Sequence, residues 1–158
     1  MTSAIKKTKR LALSWDQDFK PNLGDLEFHL KKNTEKNRIS NLDLFMLCLG
    51  IGFEAKQKRP TPPRKTDAVR LADIKEKTLA IWQAIAVSDT GNPEVLLDED
   101  LVFDIIEQYA AGGLMILSVE MENRPDFAGW LSGKLYKQSE LVAKTKQLNQ
   151  MQLHSNDI

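Results

Sequence analysis

The sequence predicts a mainly α-helical, compact domain of about five helices with one short strand near its start. Three observations carry this. Apolar residues recur at helical spacing in several long stretches. One stretch, "RLALSW", alternates instead with a period of two. Prolines and polar turns fall between these stretches rather than inside them. The 158 residues, 42% of them hydrophobic, are enough for a single core that needs neither disulfide nor metal, and too apolar for general disorder. The organisation expected is a basic flexible tail at 1–9, a helical domain at 10–137 with an extended basic, proline-rich connection at 57–68, and a helix or frayed tail at 138–158.

In chain order, the strand places Leu11, Leu13 and Trp15 on the core side, with Ala12 and Ser14 opposite. "PNLGDLEFHLKKN" follows with Leu23, Leu26 and Leu30 at helical spacing and Phe28 beside them; Gly24 blurs the start of that helix. Ser40 or Asn41 caps the next helix, because a short polar side chain accepts from the free amides of a first turn. "NLDLFMLCLGIGFEAK" is apolar nearly all round, which suits the centre of a core or an oligomer interface, and a homodimer through 41–55 is an expectation. After the proline segment, Ile74, Thr78, Ile81, Trp82 and Ile85 mark a helix that ends at "TGNPE". A strong helix runs through "DEDLVFDIIEQYAAGGLMILSVEM". Pro125 suits the first turn of a further one. Leu141, Thr145, Leu148 and Gln152 form a weak stripe at the end.

Catalytic patterns are scarce. The acidic run Asp98, Glu99, Asp100 and Asp104 lacks the spacing and glycine of a calcium loop and is accounted for as a helix start, where carboxylates cap and meet the positive end of the dipole. "GWLSGK" is one residue short of a phosphate loop, and Leu135 stands where a hydroxyl is needed. Two histidines, His29 and His154, and one cysteine, Cys48, make no metal set and no disulfide framework within a chain; the sole thiol suits a reducing cytoplasm. No catalytic residue, metal ligand or cofactor is expected, and the protein is expected not to be an enzyme. Gly112 and Gly113 each cost about 1 kcal/mol inside a helix relative to alanine, so the pair signals the close approach of another helix or a kink. The apolar runs are roughly half the length that spans a bilayer. The basic opening lacks a long apolar stretch and a small-residue cleavage site, so neither a membrane span nor a signal peptide is expected.

Charge is the more informative signal. Net charge is zero, yet residues 1–70 hold 15 Lys and Arg against 8 Asp and Glu, a net +7, and the remainder is −7. Such a split points to two faces with different partners, or to halves that attract each other. Lys6, Lys7, Lys9 and Arg10 precede the strand. Lys56, Lys58, Arg59, Arg64 and Lys65 surround Pro60, Pro62 and Pro63, with Arg70 just beyond. Cations on extended segments bind phosphate by displacing counterions, without a rigid site, so these ten are the candidate DNA contacts. A strand followed by two helices is also the order of ribbon–helix–helix regulators, whose paired strands enter the major groove. In that reading Arg10, Ala12 and Ser14 face DNA.

"FEAKQKRPTPPRKTDAVRL", "AIWQAIAVSDTGNPEVL" and "IIEQYAAGGLMIL" together resemble the Dnd system-associated protein 4 family, also called DNA phosphorothioation-associated protein 4. The resemblance rests on the Lys58-Arg59-Pro60 step, the Ile85-Ala86-Val87 helix closed by Thr90-Gly91-Asn92-Pro93, and the stretch from Glu107 to Leu117. It spans about residues 42–120. Gln108 stands where the family often has an acid, and the proline run is longer. The resemblance carries over no catalytic residue. It implies a bacterial cytoplasmic accessory protein of a system that places sulfur in the DNA backbone and restricts unmodified DNA as antiphage defence. Its partners would be DNA or other proteins of that system. A protein-only adaptor bridging ATPase or nuclease subunits, and a ribbon–helix–helix transcriptional regulator, are the alternatives.

Overall fold

The computed structural model describes residues 4–31, 39–60 and 65–155. Strand β1 (Ala12–Asp16) leads through a short 3-10 turn to helix α1 (Lys20–Lys31), then α2 (Asn41–Glu54), strand β2 (Lys65–Arg70), α3 (Glu76–Thr90), a 3-10 turn at Pro93–Leu97, α4 (Glu99–Asn123) and α5 (Phe127–Ser155). The chain divides into two compact units, Met1–Asn123 and Arg124–Ile158.

The first unit is built on α2 and α4. Ser40 starts α2 with a capping box: its hydroxyl accepts from the Asp43 amide, and the Asp43 carboxylate accepts from the Ser40 amide. Leu44, Phe45, Cys48, Leu49, Ile51 and Gly52 of α2 are buried, so the all-apolar helix serves as core within the chain. Where α2 crosses α4 the backbones nearly touch. A Cβ on Gly113 would stand 1.7 Å from the Cys48 carbonyl oxygen, and one on Gly52 2.0 Å from that of Tyr109. A Cβ on Gly112 would stand 2.0 Å from the Gln57 oxygen. The glycine pair marks a close crossing, with the segment after α2 laid along the same face of α4. Phe45 anchors an aromatic chain beside this seam, 5.1 Å from Trp15 and 5.8 Å from Trp82, which in turn meets Phe103 at 6.2 Å.

The sheet holds two strands rather than the single one expected. β2 occupies the end of the segment expected as a bare extended connection and pairs antiparallel with β1, from Ala12 opposite Arg70 to Asp16 opposite Lys65. The ladder shifts between Leu13 and Ser14, leaving Ala68 as an extra residue on β2, so Ala68 and Val69 are buried in succession. That bulge breaks the period-two pattern by which β2 is recognised. The ribbon–helix–helix order calls for strand pairing with a second chain; here β1 finds its partner in its own chain. Leu13 and Trp15 are core, as expected, but Leu11 precedes the strand and is 86% exposed. Only Leu26 of α1 is buried, and Phe28 is exposed. The stretch 71–73 is a 3-10 turn, so α3 begins later than its periodicity suggests. Gly91 closes α3 in the left-handed conformation at φ +66°.

α4 carries an 18-residue window of mean hydropathy 1.4, long enough to cross a membrane by composition, which shorter apolar runs had concealed; 67% of that window is buried inside the protein, as a core helix requires. α5 is one continuous helix from Phe127, without a break near residue 137. Near its start Phe127 and Leu131 are buried.

Candidate nucleic-acid interface

The N-terminal segment, expected as a free tail, lies along the start of α4. The Lys6 amide donates to the Leu97 carbonyl at 2.7 Å, and the Glu99 amide donates to the Lys6 carbonyl at 3.1 Å, forming a single parallel bridge between Lys6 and Asp98. Side chains continue the contact. Lys6 Nζ lies 3.1 Å from Asp98 and 3.8 Å from Asp100; Lys7 Nζ lies 3.0 Å from Glu99. The Thr8 amide donates to Glu99 at 2.8 Å, and the Thr8 hydroxyl donates to Asp100. The Arg10 guanidinium forks, one arm donating to Asp104 and the other to Glu107 at 2.7 Å, with its Nε 3.4 Å from Asp100.

The acidic run is thus a helix start, as its sequence indicates: Asp98 accepts from the Asp100 amide at 3.0 Å and from the Leu101 amide at 3.3 Å. It is also something the run alone does not disclose. Asp100, Asp104 and Glu107 fall at helical spacing on one side of α4 and take up a basic strip ninety-odd residues away in sequence. The Lys6 hydrogen bond is the main cause that holds Asp98 below the usual carboxylate range, and the Thr8 amide is the main one for Glu99. Glu107 is different. Only 7% exposed, it is pushed up by burial, against the opposing pull of Lys65 and Arg10. Lys65 Nζ stands 4.0 Å away.

The second basic segment is engaged as well. Lys58 Nζ lies 3.0 Å from Asp89 and 5.5 Å from the centre of the Tyr109 ring, and the Tyr109 hydroxyl donates to the same Asp89 carboxylate. Burial, then Asp89, push the Tyr109 hydroxyl up to about 12. The Arg59 guanidinium sits 4.8 Å over the Phe19 ring, and its amide donates to the Gln108 carbonyl at 3.0 Å. Arg70 meets Asp73 at 3.5 Å while remaining 80% exposed. Lys9 and Lys56 are exposed and make no ion pair among the described residues. Arg64, with Pro62 and Pro63, lies outside the described residues.

Of the candidate contacts, then, Lys6, Lys7 and Arg10 are brought together on the α4 carboxylates. Lys58, Arg59 and Lys65 reach α4 or α3 farther along, and Lys9, Lys56 and Arg70 face solvent. The residues missed by the sequence reading are the acceptors Glu107 and Asp89 and the connector Thr8. The opposite charge of the two halves was the signal for the first of these. Nothing in the sequence marked Asp89.

No characterised protein and no solved structure matches the chain significantly. A family model does match, over residues 28–153, reaching past the 42–120 stretch that carried the resemblance and taking in nearly all of α5. On that match, which covers most of its length, the chain belongs to the family described as DNA sulphur modification system-associated protein 4.

Proposed function

We infer that the protein is a non-catalytic, cytoplasmic accessory component of a bacterial DNA sulphur modification system linked to restriction and antiphage defence. It works by binding: to the DNA backbone through its exposed cations, and to other proteins of the system. Family membership is the observation that supports this reading. The exposed Lys9, Lys56 and Arg70 supply charge that phosphate can recruit by displacing counterions.

A protein-only adaptor is the second reading, favoured by one observation: Lys6, Lys7 and Arg10 already have carboxylate partners. Fluorescence anisotropy of labelled duplex DNA, with and without a phosphorothioate, separates the two. Under the DNA reading, binding is present at low salt, falls steeply as salt rises, and weakens when Lys9, Lys56 and Arg70 are changed to glutamine. No binding at low salt would leave the adaptor reading.

A further inference from the structure

Lys6, Lys7, Thr8 and Arg10 meet the end of the preceding 3-10 turn and the start of α4 in a row of contacts, from the Leu97 carbonyl to the Glu107 carboxylate. The cations engaged there are ones phosphate would use. Donors remain on each of these cations, but a carboxylate at 2.7–3.1 Å already offsets its charge, so phosphate must compete with that carboxylate for it. From the arm's side, a row of carboxylates at 98, 99, 100, 104 and 107 presents the feature a nucleic-acid backbone presents: closely spaced negative charge along one direction.

We propose that the first three turns of α4 act as an internal substitute for a nucleic-acid backbone, clasping the N-terminal arm and withholding its cations from DNA until the arm is released. The proposal rests on the DNA-binding reading above and adds its regulation. The clasp is built to open. Lys6 and Lys7 remain 63% and 74% exposed although paired, and exposed ion pairs are individually weak and screened by salt. An open cavity of about 550 Å³ runs beside the arm, lined by Lys6, Lys7, Lys9, Arg10 and Asp100, so solvent and anions reach the paired cations directly. Only Arg10 is anchored more deeply, through Glu107.

The test compares three full-length proteins in the same anisotropy assay: wild type; a clasp variant carrying Asp98→Asn, Asp100→Asn and Asp104→Asn; and a control of equal net charge carrying Asp25→Asn, Glu94→Gln and Glu122→Gln. Asparagine caps a helix as well as aspartate does, so the clasp variant keeps the start of α4. Glu107 is left in place. Should the triple change unfold the protein, the pair Asp98→Asn and Asp100→Asn reads the same difference.

The clasp variant is expected to bind duplex DNA about tenfold more tightly than the charge-matched control at moderate salt, with a salt dependence steeper by the two or three phosphate contacts the freed arm adds. The gain should vanish when Lys6, Lys7 and Arg10 are also changed to glutamine. Equal affinity of clasp variant and control, in the presence of measurable wild-type binding, overturns the clasp and leaves the DNA reading standing. No binding by any of the three at low salt overturns the DNA reading, and the clasp with it.

Discussion

Among the glycines, Gly113 leaves the least room for a side chain. The atoms in its way are backbone: the Cys48 carbonyl at 1.7 Å and the Gly52 nitrogen at 2.8 Å from a would-be Cβ. Neither can rotate aside, so Gly113→Ala must push α2 and α4 apart. Overpacking of a tight core costs about 1–3 kcal/mol, and a backbone clash belongs at the top of that range. Gly50, exposed on the same α2 with nothing within 4 Å, is the matched control. There alanine restores helix propensity and is expected to stabilise by about 0.5–1 kcal/mol. Urea unfolding of the two variants is expected to move the midpoint in opposite directions. Lys56, at φ +52°, offers a third change: Lys56→Gly relieves a left-handed conformation costing a side-chain-bearing residue about 1–2 kcal/mol, so a net gain is expected, reduced by glycine's extra freedom when unfolded. At this scale the sequence was partly legible. The pair Gly112-Gly113 announced a close approach; its counterparts, Gln57, Cys48 and Gly52, could not be named because contact partners far apart in sequence leave no local mark.

Among elements, the arm and the start of α4 supply a pH dependence whose sign is fixed. Asp98 and Glu99 have their carboxyls held low in the folded protein, by Lys6 and by the Thr8 amide respectively. A depressed folded-state pKa contributes stability that is complete above the ordinary values, 3.8 and 4.5, and is lost as pH falls through the folded ones. Glu107 works oppositely: its raised pKa penalises the folded state once ionised, a penalty relieved as pH falls through that raised value. The arm's attachment through Asp98 and Glu99 is therefore expected to persist from neutrality to about pH 5 and loosen below about pH 4. Chemical shifts of the Lys6 and Thr8 amides during an acid titration report it directly; a transition already complete at pH 6 would contradict the assignment. The helices themselves were readable, since 3.6-residue periodicity survives in α2, α3 and α4. β2 was not, because "KTDAVR" has a bulge in place of clean alternation and lies within a basic stretch that reads as a linker. Its strand character comes from β1, which pairs with it from far away in sequence.

For the molecule as a whole, the +7 and −7 halves were plain in the sequence, but charge totals do not say whether opposite charges meet within one chain or between partners. Part of the answer is internal, through Arg10, Lys65 and Lys58, which all find carboxylates in the acidic half. The limit of the second unit was less readable, because "SELVAKTKQLNQMQ" carries too few apolar residues to separate a packed helix from a frayed one. Helix geometry continues through Ser155, yet beyond Leu131 every described side chain of α5 is exposed except that of Lys134, which is half-buried. Leu141, Leu148 and Met151 are 64%, 60% and 70% exposed. A helical stretch with so little burial contributes little to unfolding stability, since helices in proteins draw most of theirs from packing an apolar face. A chain ending at Lys137 is therefore expected to melt within about 3 °C of the full-length protein, since a loss of about 1 kcal/mol moves the midpoint of a chain of this size by only about 2–4 °C. It should also lose helical circular dichroism in proportion to the turns removed. Differential scanning calorimetry of the two chains decides it: a midpoint lower by more than about 8 °C would mean that the outer half of α5 is held by burial, against the exposure of its side chains.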